Sequence, residues 1–577
     1  MKKYLTRVVT PTLAFVSMLV TQPFDYETRW SLAAQKEEHP QPNIIVILAD
    51  DLGYSDLSCY GGEINTPNLD GLAKNGLRFT QFYNSARCCP TRAALLTGLY
   101  PHQAGVGLMT GDAGAQYPGY RGAIQPYAVT LAEVLKAAGY RTAMSGKWHV
   151  GDRVSPIERG FDDFYGFTRG YGVDSFEPRM MIRLPEGKPQ RSYHPGAYFA
   201  TDAITDHALD FLNDARKTKQ PWFLYVAYQA PHFPVQSRAD DAAPYAKTYD
   251  KGWDRLREDR LARMKKAGSI PKNTPLTARS AIPRPDVAKR LGSMTADGAN
   301  PAWDSLDEER RADLARRMAS FAGMVGGMDR NIGRLVADLK RNGELDNTLI
   351  LFLSDNGACA EWEPYGFDLN KPENVTAGAG INMGTPNSPN ILHRGVELSA
   401  MGGADSLFSY GCAWANLSNT PWRLYKHYSH EGGISSPLIA HWPAAIKARG
   451  QWRAQPGHVI DVMATLVDVA GVTYPKERLG APILPMEGVS LRPAFANKPL
   501  ARKAPLFFEH DGSRAVRNGK WKLVSAHAGE WELYDIDADR TELNNLAANH
   551  PEKARELAAR WDEWARRTYA LPRPGGK

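Results

Sequence analysis

The chain has 577 residues, 43% of them hydrophobic, which is more than one ordinary domain needs; two domains with large buried cores are expected. Its net charge of +7 is spread through runs that mix acids with bases, such as Lys251–Lys266 and Asp307–Arg317, and these read as solvated helix faces. No concentrated basic stripe argues for nucleic acid, and the five cysteines (Cys59, Cys88, Cys89, Cys359, Cys412) make neither a disulfide framework nor a metal-finger spacing.

Lys2, Lys3 and Arg7 precede the short apolar run Val8–Val20, the layout of a secretory signal. That run is short for a bilayer and Pro11 interrupts it. Residues 1–34, ending in Ser31-Leu32-Ala33-Ala34, are expected to be a signal peptide, and the protein to be exported to a periplasm or the exterior. An uncleaved N-terminal anchor is the alternative, and no later segment looks transmembrane.

Asn43–Leu48 is a continuous apolar run rich in β-branched residues, the pattern of a strand buried on both faces. It leads into Ala49-Asp50-Asp51-Leu52-Gly53. Adjacent carboxylates beyond a buried strand are costly without a cation, and a hard divalent ion suits them. A capping or turn-forming Asp is the plainer reading.

In Cys88-Cys89-Pro90-Thr91-Arg92-Ala93-Ala94-Leu95-Leu96-Thr97-Gly98, Pro90 suits the first position of a helix and Gly98 its end. Cys88 then stands just before a helix N-terminus, which favours negative charge, with Arg92 able to reach back one turn. Thr130–Ala138 is an amphipathic helix. Tyr140–Met144 is a strand leading to Ser145-Gly146-Lys147-Trp148-His149, and Trp222–Tyr228 is another leading to Gln229-Ala230-Pro231-His232.

Leu314, Met318, Phe321, Val325, Met328, Ile332, Leu335 and Leu339 alternate steps of four and three, one face of a long helix laid on a sheet. Asn347–Leu353 repeats the buried-strand design and ends in Ser354-Asp355-Asn356-Gly357. Pro364–Ser418 is Gly-, Asn- and Pro-rich, a long functional loop. Lys426 then precedes His430-Glu431-Gly432-Gly433. Alternation in Trp521–Val524 and Trp531–Tyr534 predicts an antiparallel hairpin within the strand-like region from Ser513, closed by a helix over Pro551–Thr568. The domain boundary is expected near Pro475–Pro505, giving domains 40–475 and 476–577.

Cys88-x-Pro90-x-Arg92 followed by Leu96-Thr97-Gly98 resembles the signature of type I sulfatases, in which the first cysteine is oxidised to formylglycine. Gly146-Lys147-Trp148-His149, Pro231-His232, the Lys426 to Glu431-Gly432-Gly433 spacing and His458-Val459-Ile460-Asp461 match the same family in order. Ser435-Ser436-Pro437 departs mildly, since relatives often carry Arg-Val-Pro there. The resemblance implies an alkaline-phosphatase-like α/β fold: a large domain with a central, mostly parallel sheet between helices, and a smaller C-terminal α+β domain with an antiparallel sheet.

It also implies a calcium ion held by Asp50, Asp51, Asp355, Asn356 and the modified Cys88. Arg92, Lys147 and Lys426 would contact the sulfuryl oxygens, His232 would protonate the leaving alcohol, and His149 would take a proton from the nucleophile. The implied partners are a sulfate ester, aryl or carbohydrate, and a formylglycine-generating maturation enzyme. Specificity is expected in the loops Phe167–Tyr198 and Glu361–Ser418. A phosphonate or phosphate monoester hydrolase of the same fold is one alternative. A sulfoglycan-binding protein with unmodified Cys88 is the other.

Overall fold

A computed structural model describes residues 41–170, 172–281, 299–360, 365–368, 391–527 and 529–575. The expected signal peptide at 1–34 and much of the loop 361–418 lie outside the described residues. Ten strands form the main sheet: β1 (Asn43–Ala49), β2 (Leu77–Tyr83), β3 (Arg141–Lys147), β4 (Asp163–Phe167), β5 (Ile182–Leu184), β6 (Trp222–Ala227), β7 (Thr348–Ser354), β8 (Ser435–His441), β9 (Gln451–Arg453) and β10 (Gly457–His458). The middle of the sheet, β4-β3-β6-β1-β7, is parallel throughout. Antiparallel β5 closes one side; on the other, β8 runs antiparallel to both β7 and β2.

Successive side chains of a strand point to opposite faces, and β1 sorts its residues that way. Ile45 and Ile47 pack with the helices Ala200–Thr218 and Glu308–Arg341, while Ile44, Val46 and Leu48 pack with Cys88–Thr97, Leu131–Ala137 and Asp461–Ala470. Helices therefore cover both faces, as a strand without polar alternation requires. The eight apolar residues expected on one face of the long helix are all buried within Glu308–Arg341. Thr130 starts Leu131–Ala137 with a reciprocal capping box to Glu133.

A short hairpin, β11 (Glu477–Arg478) and β12 (Ala481–Pro482), precedes an antiparallel sheet of β13 (Leu506–His510), β14 (Ser513–Asn518), β15 (Trp521–Ser525) and β16 (Glu532–Asp535). The helix Pro551–Arg567 covers it, with Trp561 Nε1 donating to Phe508 O at 3.0 Å and Trp564 stacked on Phe507. No helix among the described residues is long and apolar enough to cross a membrane.

A buried ion cluster fastens this sheet to the segment His430–Gly433. Lys522 Nζ lies 2.9 Å from Glu431 Oε1 and 2.8 Å from Glu542 Oε1, and Arg540 Nε donates to Glu431 Oε2 at 2.7 Å. Breaking one member of such a cluster strands the others without water. Lys522→Ala is expected to lower unfolding stability by about 3–5 kcal/mol, read as a lower urea midpoint. A change below about 1 kcal/mol would show that the cluster holds nothing in place.

Candidate active site

Adjacent strands lie only about 4.8 Å apart, so the carboxyl ends of β3, β6, β1 and β7, neighbours in the sheet, deliver their side chains to one place. Asp50 and Asp51 follow β1, Lys147 ends β3 with His149 two residues on, His232 follows β6, and Asp355 and Asn356 follow β7. The helix Cys88–Thr97 points its N-terminus at the same edge. It starts at Cys88, two residues earlier than Pro90 suggests, because Arg87 is extended (φ −152°) and serves as the N-cap. Proline still fits, since first-turn N–H groups have no partner within the helix.

Two backbone features fix the approach. Asp51 and His149 both have positive φ, 69° and 54°, uncommon for residues with a side chain and frequent at functional sites. Gly146 (φ 117°) lets β3 approach β6 so closely that a Cβ there would sit 1.9 Å from Ala227 O. The site's rim is equally tight: a Cβ on Gly357 would lie 1.8 Å from Gly432 O.

Eight of the ten side chains expected at the site, all but Cys88 and His149, make direct polar contacts there. Lys147 Nζ donates to Asp50 Oδ2 at 2.6 Å, and Lys426 Nζ lies 2.9 Å from Asp51 Oδ1. Arg92 donates to Asp355 Oδ2 through Nε (3.1 Å) and Nη2 (2.7 Å), and to Lys147 O through Nη1 (2.9 Å). Its guanidinium thus spans strand ends rather than folding back over one helical turn. Asn356 Nδ2 donates to Asp51 Oδ1 at 2.6 Å, and His232 Nε2 stands 3.5 Å from Asp51 Oδ2. Cys88, Cys89 and His149 bring Sγ, Sγ and a ring nitrogen within 4.8 Å of one another.

The three carboxylates and three cations are each at most 1% exposed, so the site holds matched charge out of water. Burial raises the Asp51 carboxyl, but Lys426 and His232 outweigh it and hold the group below the usual range. Burial and then Asp50 push Asp355 well up, only partly countered by Arg92. Burial takes His149 down to about 4 and lowers His232 despite Asp51 and Asp50. A hydrogen bond with Cys89, opposed by burial, and the nearness of His149 and Lys147 bring the Cys88 thiol well down.

A divalent ion fits this donor set. Asp50 Oδ1 and Asn356 Oδ1 are buried oxygens that accept no hydrogen bond among the described residues. Asp50, Asp51 and His232 each offer a ligand atom within 4.8 Å of the others. Buried oxygens without donors, and a carboxylate pushed up by burial and then by Asp50, are both relieved by a hard cation.

The sulfatase family model matches residues 42–472, about three-quarters of the chain. The chain belongs to the sulfatase family. A second family model, described as N-sulphoglucosamine sulphohydrolase, C-terminal, matches residues 421–564. This sulfatase is 34% identical over 573 residues to an uncharacterised sulfatase of Schizosaccharomyces pombe, covering 94% of this chain and 96% of that one. It is 34% identical over 485 residues to an arylsulfatase of Klebsiella aerogenes, covering 82% of this chain and 96% of the relative. The crystal structure of Ps i-CgsB in complex with k-i-k-neocarrahexaose shares the fold, with a TM-score of 0.62, 24% identity and coverage of 93% of this chain and 95% of the other. The sulfatase is accordingly a hydrolase of sulfuric esters, with the α/β architecture and C-terminal antiparallel sheet that its motifs implied.

Sequence reasoning missed several residues at this edge. Cys89 Sγ lies 3.2 Å from His149 Nε2, a contact across 60 residues that only the fold reveals. Glu431 stood out for its motif, yet its carboxylate turns away from the strand ends towards Lys522 and Arg540. Arg87 and His427, each beside a residue singled out by motif, interact with one another.

Proposed function

We propose that this sulfatase cleaves sulfate esters with Cys88 matured to formylglycine beside a calcium ion held by Asp50, Asp51, Asp355, Asn356 and residue 88. The observation that carries the reading is the convergence of four parallel strand ends and one helix N-terminus on three buried carboxylates and three buried cations. When in place, the ion supplies Lewis-acid polarisation and the formylglycine supplies the nucleophilic oxygen.

The chain's own residues do the rest. Arg92, Lys147 and Lys426 offset the charge that builds on the sulfuryl oxygens, at fixed positions that need no reorganisation. His232 Nδ1 sits 2.5 Å from Phe233 O and donates to it, which fixes the ring and leaves Nε2 for the departing alcohol oxygen. Burial lowers this imidazole while Asp51 and Asp50 raise it, and a bound sulfate adds to the raising side. His149, neutral near pH 7, accepts the proton released when sulfate leaves.

The arylsulfatase name of the Klebsiella relative favours an aryl sulfate as the first substrate to assay. Export through the signal-like residues 1–34 belongs to the same reading, since Lys2, Lys3 and Arg7 precede the short apolar run Val8–Val20.

Chelation tests the ion. Three carboxylates at one edge repel each other when a bound cation is withdrawn, and any ligand of the native state stabilises it by mass action. Stripping divalent ions is expected to abolish activity and lower the melting temperature, and calcium to restore both. Full activity and an unchanged melt in protein verified metal-free would overturn the assignment. Release of phosphate from a phosphate ester faster than sulfate from the sulfate ester of the same alcohol would make this chain the phosphate-type hydrolase instead.

A further inference from the structure

A cavity of about 490 Å³ opens beyond the carboxyl ends of β3 and β4, and nothing in the chemistry above uses it. Asp152 and Arg153, just past His149, form one wall, and Thr168 and Arg169, just past β4, form another. Ile182 and Leu184 of β5 add apolar surface, and Ile182 is 39% exposed.

The cavity adjoins the side of the site where the alcohol leaves. His149 and Asp152 are three residues apart, a span of at most about 11 Å. Trp148 N–H donates to Phe167 O at 3.1 Å, so Thr168 starts beside the turn that carries Lys147 and His149. Further along the same segment, a Cβ on Gly172 would stand 3.6 Å from His232 Nδ1 and 3.0 Å from Phe233 O. Gln229 clamps the next residue, Val173, accepting from its N–H and donating to its carbonyl, both at 2.7 Å. A segment that walls the cavity is therefore held against the imidazole assigned to the departing alcohol.

The lining is matched in charge. Arg153 and Arg169, both exposed, are offset by Asp152 and Glu158. Asp112, an acid whose charge reaches Arg153, is itself held by Arg121 at 2.8 Å. Glu158 accepts from Ser155 N–H at 2.9 Å, whereas Asp152 Oδ1 accepts no hydrogen bond among the described residues. Equal numbers of acids and bases give a second anion little advantage. Donors and acceptors beside an apolar strip suit a pyranose ring, which has hydroxyls on its edge and C–H groups on its face. A nitrophenyl group has no hydroxyl to give Asp152.

We propose that this cavity is the subsite for the sugar ring of the departing alcohol, with Asp152, Arg153 and Arg169 reading its hydroxyls. The inference rests on the sulfate-ester reading and narrows it: the favoured alcohol is a neutral sugar, not a phenol or an acidic sugar.

The test compares wild type, Arg153→Ala and Arg169→Ala, each with a verified native melt. The esters are 4-nitrophenyl sulfate, the 6-sulfates of glucose and galactose, and a sulfated uronate. A hydrogen bond to a charged group corresponds to about 10- to 100-fold, so each variant should lose that much kcat/KM on the better neutral sugar sulfate, mainly through KM. Its loss on 4-nitrophenyl sulfate should be at least about tenfold smaller. Equal losses on the phenyl and sugar esters, or none, would overturn the subsite, as would a wild type active on 4-nitrophenyl sulfate alone. A larger loss on the uronate than on the neutral sugars would show the arginines reading an acid, and would overturn it too. If wild type cleaves no sulfate ester, the activity reading fails by itself. Calorimetric binding of the two neutral sugar sulfates to Cys88→Ala protein, with and without Arg169→Ala, still decides the subsite: weaker binding in the double variant supports it and equal binding refutes it.

Discussion

Cys88→Ala is expected to abolish sulfate-ester hydrolysis, by at least about 10⁴-fold, while Cys89→Ala keeps most of it. The two thiols are neighbours with different surroundings. Cys88 opens the helix at the edge where Lys147, His149 and the strand-end carboxylates meet, and it stands in the Cys-x-Pro-x-Arg register. The Cys89 thiol is turned into a packed contact with His149 Nε2 at 3.2 Å and Met109 Sδ at 3.8 Å, and burial pushes it well up. Its loss therefore costs packing and some control of the His149 ring. Rates on an activated aryl sulfate with matched melting curves make the comparison. Equal losses in two natively folded variants would remove Cys88 from its special role.

His232→Ala and Lys147→Ala should fail in different ways. A proton donor to the leaving oxygen matters most where that oxygen leaves poorly, as from a sugar, and little where a stabilised phenolate departs unaided. General acid assistance is typically worth about 10²–10⁴-fold, so kcat/KM for His232→Ala should fall by that much on a sugar sulfate and far less on 4-nitrophenyl sulfate. Lys147 is fully buried against Asp50, and its cation is needed whatever alcohol leaves. Its removal should slow both esters alike, by about 10²–10³-fold, the range for one electrostatic donor. If His232→Ala slows both esters equally, His232 holds the sulfate or the fold and donates no proton.

The framework of the site was legible because its strands are covered on both faces. Asn43–Leu48 and Asn347–Leu353 read directly as buried strands and match β1 and β7 to within a residue, so the acids beyond them were visible as strand ends. β3 was less legible. The strand read over Tyr140–Met144 continues to Lys147, because Gly146 permits the close approach to β6. β13 was hidden behind a Pro- and Lys-rich approach and a Phe pair that lacks alternation. Arg92 was given the right neighbourhood and the wrong reach, since local helical spacing cannot foresee Asp355, 263 residues away. The same limit hid the Glu431 cluster, whose partner Lys522 lies 91 residues on, and the contact of Arg87 with His427 across 340 residues. Motifs name residues along the chain; these interactions exist only once distant parts of it have packed together.

The central claim is chemical and sits on one side chain. The peptide carrying Cys88, released from protein that turns over a sulfate ester, should be analysed by mass spectrometry with its thiol content measured in parallel. An aldehyde or its hydrate at residue 88, with Cys89 still a thiol, is the predicted result. An intact Cys88 thiol throughout a fully active preparation would contradict the account.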